Sequence, residues 1–154
     1  MSNPLSAIWR LRGRIPIAPE ISTSEVVARV ADMLTWQGKP NVETRGGVVA
    51  FHAPLFGGLS SSWSALALYD RGRFWVEEDS KGRKLRFDLG CFRAFAFCLV
   101  GAALVFLVAA YGGGIALGAM VGGLALSWLY GFNIVLSWLR VPGKIRRCAR
   151  RAVR

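Results

Sequence analysis

The chain has 154 residues, a formal net charge of +11 and a hydrophobic share of 53%. This length leaves room for one small soluble domain beside any membrane segment, which excludes a multidomain architecture. A single histidine and three cysteines without a C-x-x-C pair indicate neither a zinc site nor a redox motif.

Residues 1–20 are predicted to be an N-terminal arm. Leu5, Ile8 and Trp9 would share one side of a short helix over residues 4–12, and the mixture of Trp with Arg suits a membrane interface. A loose tail is the alternative. The apolar stretch that follows is short and broken by prolines, so no cleaved signal peptide is expected.

The segment from Ile21 to Pro40 carries the signals of a helix. Ser22 and Glu25 fit a capping box at its start. Gly38 fits a C-terminal cap, and the proline after it prevents the helix from continuing. The apolar residues that recur at helical spacing are Val26, Val27, Val30 and Leu34.

After this helix the apolar period changes from 3.6 to 2, which is typical of strands. One hairpin is predicted to turn at Gly46–Gly47, a second at residues 70–72, and a third turn covers residues 79–82. The last strand has one apolar face, formed by Leu85, Phe87 and Leu89. The predicted strands are residues 42–45, 48–52, 62–69, 73–78 and 84–89, with a surface loop over residues 54–61.

These elements predict an α+β membrane protein. In a cytoplasmic domain of residues 21–90, the N-terminal helix would cover the apolar face of an antiparallel β-meander. Only residues 90–93 separate the last strand from the apolar segment that follows. The domain is therefore expected to lie directly on the membrane surface.

No Asp, Glu, Lys, Arg or His occurs from Ala94 to Leu139. About 20 apolar residues cross a bilayer as a helix, so this segment is long enough to cross twice. We predict a transmembrane helical hairpin over residues 91–140. Its spans would cover about residues 94–111 and 115–139, and the glycines between them would form the turn.

The charges on either side of this segment predict its orientation. Basic residues crowd the approach to the first span and the exit from the second, and the turn between the spans has none. The chain is therefore expected to be a multi-pass protein of the inner (plasma) membrane. The positive-inside rule places both of its termini in the cytoplasm. Tyr111 and Trp138 fall where aromatic side chains anchor a span at the membrane interface.

The second span has two rows of small residues, of the kind that lets helices pack closely in a membrane. One row is Gly114, Gly118 and Gly122, and the other is Ala119, Gly123, Ser127 and Gly131. Both rows could pack the two spans against each other. Alternatively, one row could close the hairpin while the other contacts a second chain.

The C-terminal tail, residues 141–154, is predicted to be a basic amphipathic helix on an anionic lipid surface, with a disordered tail as the alternative. Nucleic acid is the less favoured partner, because the charge directly follows a span. The residues expected to contact lipid headgroups are Arg140, Lys144, Arg146, Arg147, Arg150, Arg151 and Arg154.

The sequence has no nucleophile motif, phosphate loop or dinucleotide fingerprint, so neither an enzyme nor a cofactor is expected. A metal site from His52, Glu78 and Asp79 is disfavoured as well. The preferred hypothesis is a non-enzymatic interaction or accessory module of an inner-membrane assembly, with a membrane-protein partner or as a homo-oligomer. A self-assembling, channel-like homo-oligomer and a sensor of anionic lipid are the alternatives.

Overall fold

The computed structural model describes residues 8–53, 66–80 and 82–150. Its elements form an antiparallel sheet, an N-terminal helix and a long C-terminal helical run. In chain order they are β1 (Arg10–Pro16), α1 (Thr23–Trp36), β2 (Val42–Arg45), β3 (Val48–His52), β4 (Arg71–Asp79), β5 (Gly82–Gly90), α2 (Phe92–Leu126), a π-helical stretch (Ser127–Phe132) and α3 (Asn133–Arg150).

The five strands lie in the order β1-β5-β4-β3-β2, and every neighbouring pair is antiparallel. The predicted first hairpin is confirmed, since Arg45 pairs with Val48 around Gly46 and Gly47. These glycines have φ of 56° and 78°, as a two-residue turn that matches the strand twist requires.

The first strand corrects the interpretation of the N-terminal arm. Residues 10–12 belong to β1 and pair with β5, so they are not helical; residues 4–7 of the predicted helix lie outside the described residues. Arg10, Arg12 and Arg14 alternate with Leu11, Gly13 and Ile15, which is the period-2 pattern of a strand with one buried face.

The prediction of a turn at residues 70–72 is wrong. β4 already begins at Arg71 and pairs with Gly90 of β5 there, and residues 66–68 form a turn rather than the end of a strand. The rest of that predicted strand and the predicted loop lie outside the described residues. Gly72 is a packing glycine, because a Cβ added to it would lie 2.3 Å from Cε1 of Phe51.

Helix α1 is capped largely as its sequence indicates. The Ser22 hydroxyl accepts a hydrogen bond from the Glu25 backbone N–H at 3.2 Å, although the Glu25 carboxylate pairs with Arg29 rather than reaching back. At the other end Gly38 has a φ of 70°, and the N–H of Lys39 donates to the Leu34 carbonyl at 3.0 Å. This is the Schellman arrangement that glycine favours.

The core lies between one face of the sheet and two helices, α1 and α3. Val141, Ile145 and Ala149 of α3 are buried in the same cluster as the apolar stripe of α1. The helix continues through Pro142. An interior proline costs about 3 kcal/mol, and burial of each Val or Ile contributes about 1.5–3 kcal/mol, so packing can outweigh that cost.

One helical run, Phe92–Ala149, is long and apolar enough to cross a membrane. Only 6% of its most apolar 18-residue window is buried within the molecule. Gly112 and Gly113, which were expected to form a turn, keep helical geometry, and Gly114 alone leaves it with φ 85° and ψ 168°. The secondary structure of residues 92–150 is thus one helical run with a backbone break.

Candidate association surface on the apolar helical run

Gly118 and Gly122 lie against the chain itself, and both are buried. A Cβ on Gly118 would lie 2.7 Å from Cβ of Ala110 and 2.8 Å from the Phe106 carbonyl oxygen. A Cβ on Gly122 would lie 2.9 Å from Cβ of Phe106 and 3.2 Å from the Ala102 carbonyl oxygen. Because backbone atoms form part of these contacts, a larger side chain would push the two segments apart.

The other row of small residues is open. Ala119, Gly123 and Ser127 are exposed, and a Cβ on Gly123 or Gly131 would have no atom within 4 Å. Gly114 belongs to the first row by its spacing, but it is exposed and sits at the backbone break. The two rows predicted from sequence therefore differ in their surroundings.

Tyr130 is a contact that the sequence does not reveal. It lies in the π-helical stretch, and its hydroxyl donates to the Ile8 carbonyl at 2.6 Å and lies 3.4 Å from Sγ of Cys91. Its ring meets that of Phe95 edge-on, with centroids 5.1 Å apart. Short π-helical stretches occur frequently at functional sites, and here Tyr130 joins the helical run to the residue before the first strand.

Tyr69 and Lys39 form a second junction between the domain and the run. Ser137 donates to the Tyr69 hydroxyl at 3.0 Å, and burial raises the pKa of Tyr69 to about 12. The Lys39 ammonium donates to the Tyr69 carbonyl at 2.9 Å and lies 5.3 Å from the centroid of the Phe51 ring. Burial lowers the pKa of Lys39 to about 8, although the charge of Asp70 opposes this shift.

Asp70 and Arg93 hold the first turn of α2 to the sheet. The Asp70 carboxylate accepts a hydrogen bond from the Arg93 backbone N–H at 3.1 Å, and the guanidinium of Arg93 donates to the Ala53 carbonyl at 2.6 Å. These contacts, together with those of Tyr130 and Tyr69, leave little freedom between the domain and the apolar run.

The basic residues of the tail lie on an exposed face. Its apolar face, which was expected to lie on lipid, is covered by the domain: Ile145 and Ala149 are buried, and Sγ of Cys148 lies 3.4 Å from the Arg29 carbonyl oxygen. The exposed cations are Arg140, Lys144, Arg146 and Arg147, whereas the Arg150 side chain, Arg151 and Arg154 lie outside the description. The expected anchors Tyr111 and Trp138 are 97% and 43% exposed.

The residues considered for a metal site lie apart. His52 pairs with Arg71 at the start of β4, whereas Asp79 pairs with Gly82 at its other end. Contacts from Lys84 and Ser80 hold the pKa of the Asp79 carboxyl below its usual value. Across the part of the chain that the structure describes, no group of three or more His, Cys, Asp or Glu side chains could hold a metal ion.

The fold and these surfaces define an α+β protein with an antiparallel sheet and one long apolar helical run, which makes it a candidate for membrane association. Comparisons with protein-family models, with curated proteins and with solved structures find no match for this chain.

Proposed function

We propose that this chain is an integral membrane protein that acts as a non-enzymatic association module, with its α+β domain held against the cytoplasmic surface of the bilayer. The observation that carries the proposal is the exposed apolar surface of the helical run, where 6% of the most apolar window is buried. Phe97, Val108 and Ile115 are 81%, 76% and 78% exposed. A continuous surface of this kind marks contact with lipid or protein rather than with water.

The proposal includes a fold-back of the run at Gly114, which would give two spans. The contacts of Gly118 with Ala110 and of Gly122 with Ala102 support it, because residues 102 and 122 of a straight helix would be about 30 Å apart. The positive φ of Gly114 supplies a backbone conformation suited to a reversal. Both ends of the run then lie on the cytoplasmic side, in agreement with the basic flanks.

The two rows of small residues would have separate roles. The Gly118 and Gly122 row closes the pair of spans, while the row of Ala119, Gly123 and Ser127 is left for a partner in the membrane. Small residues permit close approach of helix backbones, and close packing rather than the hydrophobic effect drives helix association in lipid. The partner is a second membrane protein or another copy of this chain.

The test compares Gly123→Leu with Gly118→Leu in protein extracted from its own membrane into nanodiscs. Native mass spectrometry should show that Gly123→Leu loses the assembly while the chain stays resistant to carbonate extraction. Gly118→Leu should instead lower thermal stability, because its side chain would meet the Phe106 carbonyl. The proposed surface is wrong if Gly123→Leu leaves the assembly intact.

The mass of the wild-type assembly also separates the alternatives. A multiple of 16.8 kDa would favour self-association and justify conductance measurements for a channel-like oligomer. A heavier species with a second polypeptide would favour an accessory role. Release of the wild-type chain by carbonate would contradict membrane integration itself.

A further inference from the structure

The face of the sheet that points away from the core is rich in arginine. The register places Arg10, Gly90, Arg71 and His52 in one row across β1, β5, β4 and β3. Gly90 is separated from the start of α2 by Cys91 alone. This row is therefore the end of the sheet closest to the apolar run, and so to the bilayer in the proposed arrangement.

An open cavity of about 540 Å³ lies over this end of the sheet. Its lining includes Arg10, Arg71 and Arg73 together with the small residues Gly90 and Ala50. The Arg71 side chain lies across Gly90, since a Cβ added there would be 3.0 Å from Nε of Arg71. Small residues thus leave space between long cationic side chains, in a volume typical of ligand pockets.

The acidic residues of the cavity are already engaged. Asp88 pairs with Arg12 at 3.0 Å and with Arg10 at 3.8 Å. Glu43 pairs with Arg45 at 3.7 Å. Arg71 and Arg73 are exposed and form no ion pair with any described residue. Two guanidinium groups without an ion pair therefore stand on successive outward positions of one strand, with Asp88, which is paired to Arg10 and Arg12, opposite Arg73.

We propose that this cavity binds the phosphate of an anionic phospholipid headgroup, through Arg71 and Arg73. The planar guanidinium fork matches phosphate oxygens in a bidentate way. Lipid is the occupant that the position favours, because the cavity lies at the edge of the sheet from which the chain enters the apolar run. The inference rests on the membrane anchoring proposed above.

The experiment measures lipid retention on the full chain in detergent by native mass spectrometry. Phosphatidylglycerol and phosphatidylcholine with identical acyl chains are titrated onto the wild-type protein and two double variants. Arg71→Gln with Arg73→Gln should weaken phosphatidylglycerol binding at least about tenfold, as expected for the loss of two charge-assisted contacts. Phosphatidylcholine shares the phosphate but also carries a choline cation, so it should bind the wild-type protein more weakly and lose less affinity in this variant.

The matched control is Arg14→Gln with Arg86→Gln, which removes the same charge from a cross-strand pair of β1 and β5 that does not line the cavity. It should keep most of the affinity for phosphatidylglycerol. If both variants lose the same affinity for phosphatidylglycerol, binding depends on net charge rather than on this cavity, and the proposed site is wrong. Unchanged binding in the Arg71→Gln, Arg73→Gln variant would overturn it as well. Thermal melting of both variants checks that each is folded.

Two further probes test whether the ligand of the cavity is a lipid rather than another phosphate compound. Inorganic phosphate at millimolar concentration should not displace phosphatidylglycerol, and displacement would indicate a site for a free phosphate compound. A single-stranded oligonucleotide should not bind in a manner that depends on Arg71 and Arg73; if it does, the face is a nucleic-acid surface. Carbonate extraction of the wild-type chain tests the anchoring separately, so the two proposals can fail independently.

Discussion

The side chain of Lys39 is buried because the turn that caps the C-terminal end of α1 directs it into the core of the domain. The Schellman turn at the end of α1 sets the Lys39 backbone, and the side chain then extends under Tyr69 and over the Phe51 ring. Only 6% of this residue is exposed. A buried ammonium loses hydration, and one hydrogen bond and one aromatic face replace only part of it. Folding therefore shifts the protonation equilibrium of Lys39 toward the neutral amine relative to the unfolded chain, as the lowered pKa indicates, although the ammonium still predominates at pH 7.

This pKa predicts that stability rises with pH. The pKa of Lys39 is about 8 in the folded state and 10.5 as a model value, so between these pH values the unfolded chain binds more protons. The free energy of unfolding should rise through this window, by up to about 3 kcal/mol. The added stability should be lost as the pH falls through 8. Thermal melting of the detergent-solubilised protein at pH 7 and pH 9.5 measures it.

The control is Lys39→Met, which keeps an apolar stem without the charge. Its melting temperature should vary less with pH than that of the wild type, and at pH 7 it should be at least as stable. A variant whose melting temperature follows pH as that of the wild type does would contradict the assignment to Lys39. The difference between the two proteins is the readout, because burial also raises the pKa of Cys91, and ionisation of that thiol in the unfolded chain opposes the effect within this window.

Gly72 is a residue whose role is steric. A Cβ would lie 2.3 Å from Cε1 of Phe51 and 2.6 Å from Cδ2 of Leu89. Gly72→Ala should therefore destabilise the domain by about 1–3 kcal/mol through overpacking. Gly143→Ala is the control, since a Cβ there meets no atom within 4 Å inside α3. That variant should be neutral or gain up to about 1 kcal/mol from helix propensity, and equal effects in a denaturant titration would refute the steric account.

Among the secondary-structure elements, α3 contributes to the core of the α+β domain as well as to the apolar run. Ile145 is 1% exposed and Val141 is fully buried, while Arg146 next to Ile145 is exposed. The sequence shows the amphipathic pattern of this helix, but the same pattern suits a lipid surface and a protein surface. Contacts with α1 decide between them, and these join residues that are far apart in the chain.

Ile145→Asp tests this packing. A carboxylate in the core without a partner should unfold the domain, with a loss of several kcal/mol, and limited proteolysis in membranes should then cleave between β2 and β5. Arg146→Asp introduces the same group one residue away on the exposed face and should leave the domain resistant. Similar cleavage of both variants would show that α3 does not cover the sheet.

The elements that sequence predicts well are those set by local chemistry. The Ser22 cap, the Gly38 turn and the hairpin at Gly46–Gly47 each depend on a few adjacent residues. The turn glycine at position 72 was misassigned because a packing glycine and a turn glycine look alike without knowledge of Phe51. The basic cavity was missed because Arg10, Arg71 and Arg73 come together only through the β1-β5-β4 order.

In the candidate association surface, too, some features depend on adjacent residues and can be predicted, whereas others depend on contacts between distant residues and cannot. Both rows of small residues can be predicted from the sequence, because their members recur every four residues and this spacing is visible within a short stretch of the chain. Which row meets the chain itself depends on the contacts of Gly118 and Gly122 with residues 102–110, and no local signal encodes them. Tyr130 was missed for the same reason, because its partners Ile8 and Cys91 are distant in sequence.

For the whole molecule, the core that the sheet and α3 share limits the possible membrane topologies, and this limit does not depend on the charge distribution. β5 leads into the apolar run and α3 leaves it, yet both contribute buried residues to one cluster. A folded domain cannot have its core on two sides of a bilayer. We therefore expect that the chain, if inserted, crosses an even number of times, which agrees with the fold-back proposed at Gly114 and with the positive-inside rule.

Single-cysteine labelling in intact cells measures this arrangement. In a background without the native cysteines, Ser80→Cys in the domain and Arg146→Cys in the tail should react with a membrane-impermeant maleimide only after permeabilisation. Gly112→Cys should react in intact cells, since position 112 is exposed and has space for a side chain. Labelling of Ser80→Cys and Arg146→Cys from opposite sides would require a single crossing and would separate α3 from the sheet. Because that result would also contradict the burial of Ile145, the experiment tests the membrane topology and the shared core together.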